Sequence, residues 1–216
     1  MKRAIITGGT GGLGSAVADG FTEKGWEVLR LGRKDLDLSD PKAVEEFFRD
    51  EACDLLICAA GFTDDVPLAK MSETSWDSVF GVNFEAAVRC ASAALPGMAE
   101  KGSGHVVFIS SQAAIHPAVG QAAYAAAKAA LLGLTSDLAA RWGGKGIRIN
   151  AVLPGFLETP MTASVSEKRK EAVLGSHHLG RFNTPAAAAE FILFLHGQMP
   201  HTSGQVFQLD SRRGFF

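Results

Sequence analysis

The sequence lacks most of the features that mark metal-binding, secreted or membrane proteins. Its 216 residues include only three cysteines, an odd number without the spacing of a zinc site. Such a count predicts free thiols in a reducing compartment. The net charge of −2 does not suggest a nucleic-acid surface or a membrane patch. We therefore expect a cytoplasmic protein with no metal ion, no nucleic-acid partner and no membrane partner.

Long apolar runs are also missing. The start, Met1-Lys2-Arg3, leads at once into a short apolar run, unlike a secretory leader. The longest apolar stretch is interrupted by Lys128 and is too short to span a bilayer. No linker, repeat or low-complexity segment divides the chain, and its length suits one core. We expect a single dinucleotide-binding domain over residues 1–216.

Short apolar runs instead alternate with segments of helical spacing. This alternation is typical of a parallel sheet with helices on both faces, an α/β fold of the doubly wound Rossmann type. The predicted strands cover residues 3–7, 27–31, 54–58, 105–110, 147–152 and 205–209. The predicted helices cover residues 13–24, 41–51, 74–100, 121–141 and 185–196.

The first predicted strand leads through a glycine-rich turn, residues 7–14, into a helix. Glycines let the backbone approach a ligand closely. The start of a helix offers N–H groups and a positive dipole end to a pyrophosphate. The pattern therefore predicts a nucleotide site, although its spacing, Thr-Gly-x-x-x-Gly-x-Gly, is wider than that of most dinucleotide folds.

Tyr124 and Lys128 lie four residues apart in an alanine-rich helical segment, so both project from one face. A phenol has a pKa near ~10 and is a poor acid or base at neutral pH. A neighbouring ammonium favours the phenolate and lowers that pKa. Ser111, thirteen residues upstream at the end of an apolar run, can hold a carbonyl oxygen. The pair alone also suits a core tyrosine and a surface lysine, but the glycine turn favours catalysis.

Together these motifs resemble the short-chain dehydrogenase/reductase family from Ala4 to about Leu209, and most closely its 3-oxoacyl-carrier-protein reductases. Val82-Asn83-Phe84 is similar to the helix asparagine of that family. The resemblance implies four catalytic residues, namely Asn83, Ser111, Tyr124 and Lys128. Ser111 would hold the ketone oxygen and Tyr124 would supply the proton. Lys128 would bind the ribose and acidify the tyrosine, and Asn83 would anchor a water beside the lysine.

The resemblance also implies a nicotinamide cofactor. Enzymes that use NAD place an acidic residue at the end of strand two. Here that position is Gly32, followed by Arg33, whose guanidinium suits a phosphate, so NADPH is favoured over NADH. The implied cofactor-binding residues are Thr7, Gly8, Thr10, Gly12, Leu13, Gly14, Arg33, Asp37, Leu38, Ala60, Gly61, Tyr124, Lys128, Pro154, Gly155, Leu157 and Thr159.

The chain departs from the family pattern at three places. Cys58-Ala59-Ala60-Gly61 replaces Asn-Asn-Ala-Gly, so two bracing asparagines are lost. Ser211-Arg212-Arg213-Gly214 replaces a usual Gly-Gly. Only Arg33-Lys34-Asp35 separates Leu31 from Leu36-Asp37-Leu38, so a crossover helix should be shortened or missing after strand two.

The resemblance implies reduction of a 3-oxoacyl thioester, linked to an acyl carrier protein or to CoA, as in fatty acid or polyketide biosynthesis. The expected pocket segments, 113–119 and 155–157 with Met161 and Thr162, are mostly apolar and suit an acyl chain or a cyclic ketone. Of the two arginines that dock carrier proteins in such enzymes, one position matches Lys145. The other falls on Gly102, beside Lys101.

Two other functions stay open. One is reduction of a pterin, quinone, steroid or sugar ketone, because the compression after strand two is similar to that of dihydropteridine reductases. The other is a non-catalytic NADP(H)-binding sensor or scaffold, which the lost asparagines would suit. The resemblance further implies a homodimer or homotetramer through helices 74–100 and 121–141. His177-His178 is expected at the surface.

Overall fold

The fold is that of a computed structural model, which describes residues 1–212. Six strands form one sheet in which every neighbouring pair is parallel, in the order β2-β1-β3-β4-β5-β6. The strands are β1 (Arg3–Thr7), β2 (Glu27–Leu31), β3 (Leu55–Cys58), β4 (Gly104–Ile109), β5 (Ile147–Leu153) and β6 (Val206–Gln208). The six predicted strands and the doubly wound fold class are therefore confirmed.

Seven α-helices accompany the strands in residues 1–212. They are α1 (Gly12–Glu23), α2 (Pro41–Asp50), α3 (Glu73–Phe80), α4 (Ala86–Lys101), α5 (Ala122–Trp142), α6 (Glu167–Gly175) and α7 (Pro185–Gln198). None of the helices in this part of the chain is both long and apolar enough to cross a membrane.

Alternate residues of the strands build two cores, one on each face of the sheet. Ile5 and Leu56 belong to the core that packs under α2, α4 and α5. Their chain neighbours Ala4 and Leu55 belong to the core under α1 and α7. A parallel sheet covered on both faces explains why the strands read as almost continuous apolar runs instead of alternating ones.

The strand order places a crevice at the carboxyl ends of the strands. Within the sheet, β2 lies next to β1 on one side, and β3 lies next to β1 on the other side. The turns that leave β1 and β3 therefore diverge, and a doubly wound sheet binds its ligands at such a switch point.

Two helical predictions need correction. The segment predicted as one helix over 74–100 consists of α3 and α4, joined by a wider π-helical turn over Gly81–Glu85. Helix α6 was not predicted, because its first turns are mostly charged and show no apolar stripe. Its start is nevertheless marked in the sequence by Ser166, whose hydroxyl caps the helix by accepting from the backbone N–H of Arg169.

The connection after β2 is short, as predicted. No helix forms between Leu31 and Leu36, where a turn is closed by a 2.7 Å hydrogen bond from the Gly32 N–H to the Asp35 carboxylate. Residues 36–38 add no strand either, so β2 is the edge of the sheet. Helix α2 makes the whole crossover from β2 to β3. Asp40 caps it by accepting from the backbone N–H of Lys42 at 2.9 Å.

Because α2 alone carries this crossover, its cap should matter for stability. We expect Asp40→Ala to lower the free energy of unfolding by about 1 kcal/mol, measured by urea denaturation. Asp50→Ala, at the opposite end of α2, is the matched control. A carboxylate there opposes the helix dipole, so its removal should leave the stability unchanged or raise it slightly. Equal losses in the two variants would contradict the proposed role of the cap.

Candidate active site

A cleft of about 1190 Å³ runs along the carboxyl ends of the strands. The loops that follow β1, β2, β3, β4 and β5 all contribute to its walls. Of the predicted cofactor-binding residues, every one except Thr7 lines this cleft. Of the predicted catalytic residues, Ser111, Tyr124 and Lys128 line it, and Asn83 lies behind its wall.

The turn after β1 requires its glycines. Gly8 has a φ of +68°, and a Cβ there would lie 2.8 Å from the backbone of Ala59. A Cβ at Gly14 would lie 2.2 Å from the carbonyl oxygen of Gly8. This close packing sets the start of α1, with its unpaired N–H groups, at the floor of the cleft.

Thr7 has a different place from the one predicted. It is buried, and its hydroxyl accepts a long 3.4 Å hydrogen bond from the backbone N–H of Ala60. The side chain therefore braces the ends of β1 and β3 behind the cleft. Cys58, where the family has an asparagine, packs in the core, and burial raises the pKa of its thiol well above the ordinary value.

Helix α5 is fixed to the end of β4 by two hydrogen bonds. The Ser110 hydroxyl donates to the carbonyl oxygen of Lys128 at 2.8 Å. The Lys128 ammonium donates to the carbonyl oxygen of Ile109 at 2.9 Å. The lysine side chain is thus buried and paired with the backbone. Burial disfavours its charged form and lowers the pKa of Lys128 to about 8.

Tyr124 lies one turn before Lys128, with its ring centroid 5.7 Å from the lysine Nζ. Ser111 follows β4, and its hydroxyl accepts from the N–H of Ala113 at 3.2 Å. Burial raises the pKa of Tyr124 above its ordinary value, a hydrogen bond with Ser111 acts in the opposite direction, and the nearby Asp65 carboxylate raises it further. The phenol therefore keeps its proton at neutral pH.

The predicted direction of the tyrosine pKa is wrong for this structure. We expected the Lys128 ammonium to make the phenol more acidic. Instead, the Lys128 ammonium donates its hydrogen bond to the Ile109 carbonyl oxygen, and burial lowers the pKa of the lysine. The cost of burying a phenolate is then the largest contribution to the pKa of Tyr124, and it raises that pKa.

Asn83 lies in the π-helical turn between α3 and α4. Its side-chain N–H₂ donates to the carbonyl oxygens of Phe62 and Val79, each at 2.8 Å. Its amide oxygen is buried and has no hydrogen-bond partner among residues 1–212. A Cβ at Gly61 would lie 2.6 Å from that oxygen and 3.5 Å from the Lys128 Nζ. A buried acceptor beside an amine needs a donor, so the predicted water fits here.

The far end of the cleft carries the residues that were predicted to bind the adenine side. Arg33 is exposed, and its guanidinium makes no hydrogen bond or ion pair with residues 1–212. A Cβ at Gly32 would lie 2.9 Å from the Thr10 hydroxyl, so these two residues pack closely beside Arg33. The Asp37 carboxylate accepts from the hydroxyl and the N–H of Ser39, and these bonds lower its pKa.

The two lysines that were considered for carrier-protein docking lie away from the cleft. Lys145 lies over the ring of Trp142, 4.4 Å from its centroid, and Lys101 pairs with Asp54 at 3.4 Å. Both lysines lie near the amino ends of β4 and β5, so neither reaches the cleft of its own chain.

The structure instead brings Arg169 and Arg212 to the cleft. Arg212 was noted in the sequence as a departure from a Gly-Gly pattern, whereas Arg169 gave no signal. His177, expected at the surface, is buried. Of the remaining carboxyl-terminal departures, Arg213 and Gly214 lie outside the described residues.

Comparisons with known proteins agree with this geometry. A family model described as enoyl-(acyl carrier protein) reductase matches residues 34–211. The 3-oxoacyl-[acyl-carrier-protein] reductase FabG of Thermotoga maritima is 34% identical over 97% of this chain and 96% of its own. The FabG of Vibrio cholerae is 30% identical over 90% and 89% of the two chains.

Solved structures show the same fold. A Beutenbergia cavernae protein assigned as an NAD(P)-dependent gluconate 5-dehydrogenase, with bound NADP, superposes with a TM-score of 0.93 at 30% identity. It covers 97% of this chain and 95% of its own. An Agrobacterium tumefaciens protein assigned as a 2-deoxy-D-gluconate 3-dehydrogenase, also with NADP, has a TM-score of 0.92, 30% identity and the same coverage.

Since Tyr124 is the single tyrosine of the chain, its ionisation can be followed by tyrosinate absorbance. We expect the folded protein to titrate above pH 10, and the chain unfolded in guanidinium to titrate near the ordinary value of 10.0. Because the folded form holds its proton more tightly, stability should fall as pH rises above 10. Tyr124→Phe provides the blank. If the tyrosine of the folded protein titrates at a lower pH than that of the unfolded chain, the prediction that Lys128 lowers the pKa of Tyr124 would be correct.

Proposed function

We propose that this chain, which belongs to the short-chain dehydrogenase/reductase family of oxidoreductases, reduces a ketone to a secondary alcohol with NADPH. The observation that carries the proposal is one cleft in which Ser111, Tyr124 and Lys128 face the glycine turn that follows β1. The FabG relatives make a 3-oxoacyl thioester, on a carrier protein or on CoA, the first candidate substrate. We infer that residues 1–216 act as one catalytic domain.

The residues of the cleft fit a phosphorylated dinucleotide. The close approach of Gly8, Gly14 and Ala59 leaves no room for side chains where the backbone must meet a pyrophosphate. Arg33, unpaired among residues 1–212, is available for the 2′-phosphate. When bound, the reduced nicotinamide supplies a hydride. Thr10, Gly12 and Leu13 would hold the phosphates, Asp37 and Leu38 the adenine, and Pro154, Gly155, Leu157 and Thr159 the nicotinamide end.

The chemistry assigned to the chain is proton transfer. One ketone, one NADPH and one proton give one alcohol and one NADP⁺. Ser111 donates a hydrogen bond to the ketone oxygen, and Tyr124 transfers its phenolic proton to the same oxygen as the carbonyl π bond breaks. A buried tyrosine with a raised pKa suits this direction, because it is protonated at neutral pH. General acid catalysis of this kind contributes roughly 10²–10⁴ in rate.

Lys128 and Asn83 would restore the proton. The lysine amine lies 5.7 Å from the centroid of the Tyr124 ring, and a pKa of about 8 lets it exchange protons near neutral pH. The amide oxygen of Asn83, which has no hydrogen-bond partner in the described part of the chain, adjoins the same space. A water held there would pass protons inward to the lysine and then to the tyrosine.

A second candidate substrate is the ketone of a sugar acid. The two arginines that the structure brings to the cleft favour it, because a guanidinium pairs with the carboxylate of a sugar acid. Two solved structures of this fold are assigned as dehydrogenases of gluconate or deoxygluconate.

We also propose a homodimer or homotetramer through α3, α4 and α5. Gly133 on α5 is exposed, and a Cβ there would meet nothing within 4 Å, which leaves space for a second helix.

Tyr124→Phe should lower the turnover of any accepted ketone by roughly 10²–10⁴ while NADPH still binds. Ser111→Ala should lower it by about 10²–10³, because one donor to the carbonyl oxygen is lost. NADPH oxidation is followed with an acetoacetyl thioester, a diketone, a quinonoid pterin and a keto-gluconate. A crotonyl thioester tests for enoyl reduction.

The control is Ser136→Ala, which should retain wild-type rates. Ser136 is an exposed residue of α5, twelve positions after Tyr124. Retention of more than a few per cent of turnover in Tyr124→Phe would exclude the tyrosine as the proton donor. Binding of NADPH without oxidation by any compound of the panel would favour a sensor or scaffold.

Cofactor choice should depend on Arg33. Loss of charge-assisted bonds to the 2′-phosphate in Arg33→Ala should raise the KM for NADPH about 10- to 100-fold and leave the KM for NADH unchanged. Lys34→Ala is the matched control, since Lys34 is also exposed but does not line the cleft. An equal rise in the KM for NADPH and in the KM for NADH would mean that Arg33 does not bind the 2′-phosphate and only shapes the turn after β2.

A further inference from the structure

We propose that Arg169 and Arg212 form a subsite for an anionic group, a carboxylate or a phosphate, of the ketone substrate. The inference rests on the proposed ketone reduction and adds the charge of the substrate to it. It derives from a second cavity of about 540 Å³, which opens beside the catalytic serine.

The cavity is continuous with the main cleft. Gln112, His116, Arg169 and Arg212 line both spaces. Gln112 is the chain neighbour of Ser111, so the two spaces meet next to the group that would hold the ketone oxygen. A molecule whose carbonyl faces Ser111 and Tyr124 can therefore extend directly into the second cavity.

The lining of this cavity is cationic. It contains the two arginines together with His116 and His178, and none of its described lining residues is acidic. Arg169, on α6, makes no side-chain hydrogen bond or ion pair with residues 1–212, so its charge is not neutralised by the part of the chain described here. A guanidinium in this state binds carboxylate or phosphate oxygens in pairs.

Arg212 is held in place by a buried carboxylate. Its Nε donates to the Asp210 Oδ2 at 2.6 Å, and its Nη2 lies 2.5 Å from the same oxygen. The Asp210 side chain is only 1% exposed, and Gln208 donates to its other oxygen at 2.8 Å. Burial raises the pKa of Asp210, but the hydrogen bonds from Gln208 and Arg212 outweigh it and keep the carboxylate ionised. Among residues 1–212 no group hydrogen-bonds to Nη1 of Arg212, so this edge can meet a ligand.

Two further contacts fix the walls relative to each other. The backbone N–H of His178 donates to the carbonyl oxygen of Ser211 at 3.0 Å, which joins the end of α6 to the segment that carries Arg212. The buried His177 ring nitrogen Nε2 lies 3.6 Å from the Asp210 carboxylate. The two arginines thus come from two segments that are joined by a hydrogen bond, and Asp210 also holds the side chain of Arg212 in place.

The test compares matched substrates that differ in one anionic group. The carboxylate arm uses a keto-gluconate and its methyl ester. The phosphate arm uses the acetoacetyl thioesters of pantetheine and of 4′-phosphopantetheine. We expect wild-type kcat/KM to be about 10- to 100-fold higher for the anion in one arm, and Arg169→Gln to remove that advantage while the rate on the neutral partner is kept.

Lys168→Gln is the control, because Lys168 is a neighbouring exposed cation on α6 that lines neither cavity. Isothermal calorimetry of the NADP⁺-loaded protein with gluconate or with 4′-phosphopantetheine gives a reading independent of turnover. Arg169→Gln should weaken the binding of the preferred anion by the same factor. The arm in which Arg169→Gln weakens binding shows whether the subsite prefers a carboxylate or a phosphate.

Two outcomes overturn the subsite. One is equal kcat/KM for charged and neutral partners in both arms, and the other is an Arg169→Gln loss that is equal for both partners. Either result leaves the ketone reductase proposal intact, because the neutral ketones are still reduced. Failure of the wild type to reduce any member of either pair with NADPH is different, since it removes the proposed function itself. Arg212→Lys, which keeps the charge and loses the paired geometry, should give an intermediate loss on the anion.

Discussion

The site depends on how α5 is attached to the end of β4. Lys128 receives a hydrogen bond from Ser110 at its carbonyl oxygen and donates one from its ammonium to Ile109. Since these bonds fix both the rotation and the height of the helix, they also fix Tyr124, one turn earlier. Ser111 leaves the same strand end, so the hydroxyl and the phenol are placed by a single joint. A buried amine can be kept at this joint because a backbone carbonyl satisfies it.

The attachment also explains why the tyrosine behaves as an acid with a high pKa. A lysine that was free to approach the phenol would favour the phenolate, which was our expectation from spacing alone. Sequence spacing gives the face of the helix on which two residues lie. It does not give the partner that each side chain selects once it is buried. In this protein the carbonyl of Ile109 takes the amine, and desolvation then controls both groups.

The sequence was most informative where local chemistry decides the structure. The glycine turn, the six apolar strands and the short passage after β2 all follow from nearest neighbours, and the structure has each of them. The sequence was least informative where distant segments meet. Arg169 and Arg212 are separated by more than forty residues and share a cavity only because α6 folds back onto the end of the sheet. Thr7 was assigned to the cofactor from its motif, but tertiary packing turns it toward Ala60. Lys145 was considered for carrier-protein docking, but it lies at the opposite edge of the sheet from the cleft.

The position of Asp210 and Arg212 in chain order has a consequence for biosynthesis. The nucleotide cradle lies within the first fourteen residues, and the reactive tyrosine and lysine follow by residue 128, whereas this acid–base pair comes after the whole sheet. One wall of the second cavity is therefore absent from a nascent chain until residues 210–212 have been synthesised. The subsite that we propose for an anionic group is therefore completed late in synthesis. Arg212 lies outside every strand of the sheet, four residues after the end of β6.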